Sequence, residues 1–125
     1  MKIGIVALNY QPGTAGGIEP YLLNLIGSLQ ELDHTNQYYL FVRPHAAASI
    51  NITNRNWSII TITNSGGKKL VRKLRLSRII PQSTDAGAIN SYHCDVVHFP
   101  LQVLQPDGVN GKKILSFMDM QQEYY

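Results

Sequence analysis

An internal disulfide is closed to this chain, because Cys94 is its one cysteine. That fits a reducing compartment. No run of about 18 apolar residues occurs, so no membrane span is expected. The opening Met1-Lys2-Ile3 leads directly into a strand-like stretch and not into the apolar block of a secretion signal. A cytoplasmic location is therefore expected, and the Asn51-Ile52-Thr53 sequon is discounted as a glycosylation acceptor. His93 and Cys94 stand together without a second pair at zinc spacing, so no metal is expected. A Gly-x-Gly-x-x-Gly fingerprint is lacking, and Leu40-Phe41-Val42-Arg43 brings no ribose-binding acid. Both disfavour a dinucleotide-dependent oxidoreductase. Internal repeats and low-complexity tracts are also missing.

What is present suffices for one domain over residues 1–125. The chain is 44% hydrophobic, enough apolar material for a core. The net charge of +3 is modest but unevenly placed, since Lys68, Lys69, Arg72, Lys73, Arg75 and Arg78 are six of the eleven basic residues. Outside that segment the acidic residues outnumber the basic ones, eight to five. The basic character belongs to one element.

Hydrophobic periodicity gives the elements. Residues 2–8 are apolar on both faces, as in the centre of a parallel sheet. Tyr21, Leu22, Leu25, Ile26, Leu29 and Leu32 follow helical spacing on one face, with Asn24, Gly27 and Glu31 opposite. Pro20 suits the first turn of that helix, and Asp33 to Asn36 supply its stop. Tyr38 to Val42 and Trp57 to Thr63 read as strands, with a short helical turn near Ala46 to Ala48 between them. Asn64 to Gly67 reads as a loop and Lys68 to Ile80 as a helix ended by Pro81. Residues 82–94 are polar and ambiguous. Asp95 to Phe99 is a strand closed by Pro100. Lys113 to Phe117 is another, after turns at Pro106 to Gly108 and Asn110-Gly111. Strands alternating with helices predict an α/β fold, a Rossmann-like open parallel sheet flanked by helices.

In such sheets ligands sit at the carboxyl ends of the strands. That edge would gather the loop from Asn9 to Gly17, the stretch His98 to Pro100, and Met118 to Gln122. Gly16 and Gly17 lie between a strand and a helix, where free N–H groups meet the positive end of the helix dipole. They read as an anion contact or as a flexible entry to the helix. Glu19 would repel a phosphate there, and caps the helix or binds a sugar hydroxyl instead. His98, ending an apolar strand, reads equally as a packed histidine and as a ligand contact. Asp119 follows the last strand, where sites of this architecture lie, and Gln121 and Glu123 could contact hydroxyls. The basic segment 68–78 is a solvated helix face or a weak contact to anionic lipid. Without interleaved aromatics it is not a nucleic-acid surface.

Three segments together resemble a known family. Met1-Lys2-Ile3-Gly4-Ile5 with Gly16-Gly17-Ile18-Glu19 and Tyr21 to Leu25, Asp95-Val96-Val97-His98-Phe99-Pro100, and Lys113 to Glu123 are similar, in order and spacing, to the N-terminal domain of GT-B-fold glycosyltransferases of group 4, the "group 1" family. The resemblance implies half of a GT-B fold and transfer of a sugar from a nucleotide-sugar donor to a saccharide or lipid-linked acceptor, as in polysaccharide biosynthesis. It implies donor-diphosphate contact at Gly16 and Gly17, and catalytic roles for Asp119 and His98. Glu19, Tyr21, Gln121 and Glu123 would bind substrate. No permanently bound cofactor or metal is implied. One departure is Met118, where the family often carries a loop histidine.

The donor-binding C-terminal domain of that family has no counterpart within these residues. Alone, the chain is expected to be weak or inactive, because aligning two substrates needs both walls of the cleft. The rival expectation is a non-catalytic binding module or subunit that pairs with a separately encoded C-terminal half.

Overall fold

The computed structural model describes residues 1–13, 18–63, 84–101 and 104–116. The expected loop at 64–67 and the basic helix at 68–80 lie outside these residues, as do Gly16, Gly17, Asp119, Gln121 and Glu123.

Five strands form one sheet: β1 (Lys2–Val6), β2 (Gln37–Val42), β3 (Trp57–Thr61), β4 (Val96–Phe99) and β5 (Lys112–Leu115). All pair in parallel, in the order β3-β2-β1-β4-β5. The α/β, Rossmann-like reading holds, with each expected strand present, β2 one residue longer than expected and the other four shorter. Among the described residues three helices connect or flank the strands: α1 (Ile18–Leu32), the short α2 (Pro44–Ala47) and α3 (Thr84–Asn90). None of the described helices is long and apolar enough to cross a membrane.

The alternation of side chains along each strand divides the core in two. Ile5, Tyr38, Leu40 and Val42 pack with Leu22 and Ile26 of α1. Val6, Phe41, Val97 and Phe99 pack with Ala86 and Ile89 of α3 on the opposite face. β1 is buried on both sides because neighbouring residues feed different layers. This explains its unbroken apolar run. Gly111, at φ +95°, sits where an added Cβ would lie 2.8 Å from the Cys94 carbonyl oxygen. Only glycine suits that turn into β5.

Two features of α1 differ from the sequence expectation. Leu32 does not join the apolar face and is 82% exposed. The buried positions are instead Leu22, Ile26 and Gln30, spaced four apart. Burial of Gln30 is offset by its bonds, because its amide fastens the segment before β3. Nε2 donates to the Asn51 carbonyl at 3.1 Å, and Oε1 accepts from the Thr53 and Asn54 N–H groups at 2.8 and 3.1 Å. Asp33 closes the helix in a similar way, accepting from Thr35 N, Asn36 N, Asn36 Nδ2 and the Tyr38 hydroxyl. Chiefly the Asn36 bonds hold its carboxyl well below the usual carboxylate range. The Tyr38 phenol is pushed up to about 12, first by burial and then by Asp33.

α3 falls within the stretch that was ambiguous in the sequence. Its seven residues carry only Ala86 and Ile89 as fully buried apolar side chains, too few for a clear period. A paired Arg43 anchors it. The guanidinium meets Asp85 at 2.8 and 3.2 Å and also donates to the Ile62 carbonyl at 3.2 Å. Such bidentate geometry joins the ends of β2 and β3 to the first turn of α3.

These placements give opposite expectations for two leucines on one helix. Leu22→Ala should cost about 2–5 kcal/mol in urea unfolding, the range for a buried leucine. Leu32→Ala should stay within about 0.5 kcal/mol, as for an exposed site. Equal losses at both positions would contradict the orientation of α1.

Candidate functional site

β1 is the point at which the strand order reverses: β2 lies on one side and β4 on the other. In open α/β sheets the crevice opens at such a place, beyond the carboxyl ends of the strands. At this edge lie the turn after β1, the first turns of α1, the end of β4 and the residue following β5.

Pairing extends into this edge. Ala7 N–H donates to the Phe41 carbonyl at 2.9 Å, and Ser116 N–H to the Phe99 carbonyl at 3.1 Å. Ser116 is thus held by β4 although it follows the last residue of β5. His98 alternates with Val97 and Phe99, which face the α3 layer. The pleat therefore turns His98 to the α1 side. Its register partner is Ile114, and Ser116 stands two residues further on the same side of β5.

Three side chains meet as a result. His98 Nε2 lies 2.7 Å from Ser116 Oγ. Ser116 Oγ lies 2.9 Å from the Tyr21 hydroxyl. A continuous hydrogen-bonded line therefore runs from the first turns of α1, through the end of β5, to β4. Hydrogen bonds of this kind contribute about 1 kcal/mol each. All three residues are only partly exposed. Burial lowers the His98 pKa from its ordinary value of 6.5, which keeps the imidazole neutral near pH 7. The trio carries no formal charge there, and each oxygen can both donate and accept.

Two of the expected site residues, His98 and Tyr21, are thus brought together. Glu19 is not part of the same group. Two positions before Tyr21 on a helix, it points about 200° away from it. Its carboxylate accepts from Gly13 N–H at 2.7 Å and closes the Pro12-Gly13 turn onto the start of α1. Gly13 adopts φ +82°, and Pro-Gly in that order is the pattern of a type II turn. A carboxylate at the amino end of α1 is favoured by the helix dipole. It occupies a loop N–H with an internal anion.

Ser116 was missed as a site residue because it read as part of a strand over Lys113 to Phe117. The strand ends at Leu115. The signal was the change from Ile114 and Leu115 to a hydroxyl at the sheet's carboxyl edge. Gly16, Gly17, Asp119, Gln121 and Glu123 lie outside the described residues. Among the described residues no three His, Cys, Asp or Glu side chains converge to hold a metal ion. Comparison with known protein families, with curated proteins and with solved structures finds no match to this chain.

The lowered proton affinity of His98 links the site to stability. Below pH 6.5 the unfolded chain takes up a proton at this residue that the folded chain resists until its own lower pKa is reached. Folding stability should therefore fall as pH drops through that window. Urea midpoints measured from pH 7.5 to 5 should show a steeper fall for the wild type than for His98→Gln. Parallel profiles would show that burial of this imidazole carries no such linkage. Asp33 acts in a separate range: its folded-state pKa is depressed, so its contribution is present above 3.8 and is lost in stronger acid.

Proposed function

We propose that this chain is the acceptor-side domain of a glycosyltransferase, one half of a GT-B fold, working with a nucleotide-sugar donor and a saccharide or lipid-linked acceptor. The observation that carries this reading is the uncharged line Tyr21–Ser116–His98 at the strand-order reversal. Saccharide hydroxyls both donate and accept, and a row of hydroxyls ending in a neutral imidazole matches them group for group. The Rossmann-like sheet agrees with the sequence resemblance in its order of elements. In this reading His98 and Tyr21 hold acceptor hydroxyls, and Asp119 deprotonates the attacking one. Gly16 and Gly17 approach the donor diphosphate. The cationic segment 68–78 would keep the domain near anionic lipid when the acceptor is membrane-bound.

A second reading, a binding subunit that pairs with a separate donor-binding half, is favoured by β5. Lys112, Lys113 and Ile114 are exposed there, with Ile114 at 52%. An apolar side chain open on an edge strand is suited to contact with another chain.

Calorimetric titration with methyl glucoside, methyl mannoside, UDP-glucose and GDP-mannose tests the leading reading. At least one saccharide should bind, and His98→Ala and Tyr21→Phe should each weaken it roughly tenfold, about 1.4 kcal/mol. Leu32→Ala, remote on the outer face of α1, should not. Failure of every probe to bind, or binding indifferent to both site variants, would reject the assignment.

A further inference from the structure

We propose that Ser116 is a positioning residue that fixes the proton of His98 on Nδ1. It does so by accepting a hydrogen bond from the Tyr21 hydroxyl and donating its own proton to His98 Nε2. The significance of this role for ligand binding rests on the saccharide reading above, but the role itself does not require a ligand.

Setting aside the arrangement in which Ser116 accepts from both neighbours and leaves its own proton without an acceptor on the line, the geometry admits two directions for the protons along it. In one, Tyr21 donates to Ser116 and Ser116 donates to Nε2. In the other, Nε2–H donates to Ser116 and Ser116 donates to Tyr21. A serine hydroxyl has one proton and two lone pairs, so it takes part in either direction but cannot donate to both neighbours. The first direction pairs the stronger donor with the stronger acceptor at each step. A phenol, with a pKa of about 10, is a better donor than an aliphatic hydroxyl. An imidazole nitrogen lone pair is a better acceptor than a phenolic oxygen, whose lone pair is shared with its ring. The short 2.7 Å separation at His98 and the 2.9 Å separation at Tyr21 suit such a run of bonds.

The backbone makes the hydroxyl a fixed point. Ser116 N–H is tied to the Phe99 carbonyl, one residue beyond His98 on β4. Tyr21 is carried by α1, whose Leu22 and Ile26 are locked into the core. Ser116 Oγ is therefore held between two rigid elements, as a group that orients a histidine ring must be. With the protons set this way, the Tyr21 oxygen keeps acceptor capacity for a ligand hydroxyl, and His98 Nδ1–H is the ring's remaining donor.

Long-range proton–nitrogen NMR of the uniformly labelled chain at pH 7.5 reads the tautomer directly. The wild type should show an unprotonated Nε2 and a protonated Nδ1 at His98 as the single dominant form. Ser116→Ala should shift the ring to a mixture in which the Nε2–H form gains at least several-fold. Ser116→Thr, which keeps the hydroxyl, should restore the wild-type pattern. A protonated Nε2 in the wild type overturns the proposal by itself, even if the alanine variant fails to fold. So does a Ser116→Ala spectrum with an unchanged tautomer. Since no ligand is present, a failure here leaves the saccharide reading standing, whereas absent saccharide binding with the expected tautomer leaves the role of Ser116 intact.

Discussion

β1 is hydrogen-bonded along both of its edges, to β2 through residues 2–6 and to β4 through residues 3–5. The rest of the molecule depends on that double pairing. With β1 central, its residues must feed both core layers, and Ile5 and Val6 do so in turn. With parallel partners on either side, the strand order reverses at β1, the place where open α/β sheets bind their ligands. The same pairing sets the register that carries His98 to the α1 side.

The polar line from Tyr21 to His98 follows from three independent structural choices. Helix phase puts Tyr21 at the start of α1 facing the sheet, strand alternation puts His98 opposite, and the early end of β5 leaves Ser116 between them. None of the three is adjacent to another in sequence. Charge is handled separately, at Glu19 with Gly13 and at Arg43 with Asp85, so the trio stays uncharged in a partly dry setting. An uncharged trio with two hydroxyls is suited to hydrogen bonding with uncharged polyhydroxylated ligands. The basic segment 68–78 supplies cationic character elsewhere in the sequence.

The sheet was legible in the sequence because each strand is a short apolar or aromatic run bounded by turn residues, from Ile3 to Ile5 in β1 to Val96 to Phe99 in β4. α1 was legible from its period, yet Leu32 is exposed and Gln30 is buried. Helical spacing alone does not say where the covering sheet stops, nor that an amide will be buried when three loop residues offer it hydrogen bonds. α3 was hidden because two alanines, a glycine and one isoleucine make a weak apolar stripe, although Asp85 holds it through Arg43. At the site, His98 and Tyr21 could be nominated from position and residue type. Ser116 could not, because hydroxyls in strands are common and its importance comes from two partners 18 and 95 residues away in sequence. Glu19 was open between capping and ligand contact, and its carboxylate closes the Gly13 turn.

On the proposed reading a saccharide binds at the carboxyl edge over β1 and β4. Backbone amide shift mapping during titration with a binding sugar addresses this most directly. The largest shifts should cluster at Tyr21, His98 and Ser116, with the amino-terminal edge around Lys2, Gln37 and Asp95 unmoved. Shifts centred on that opposite edge, or scattered over both faces of the sheet, would contradict it.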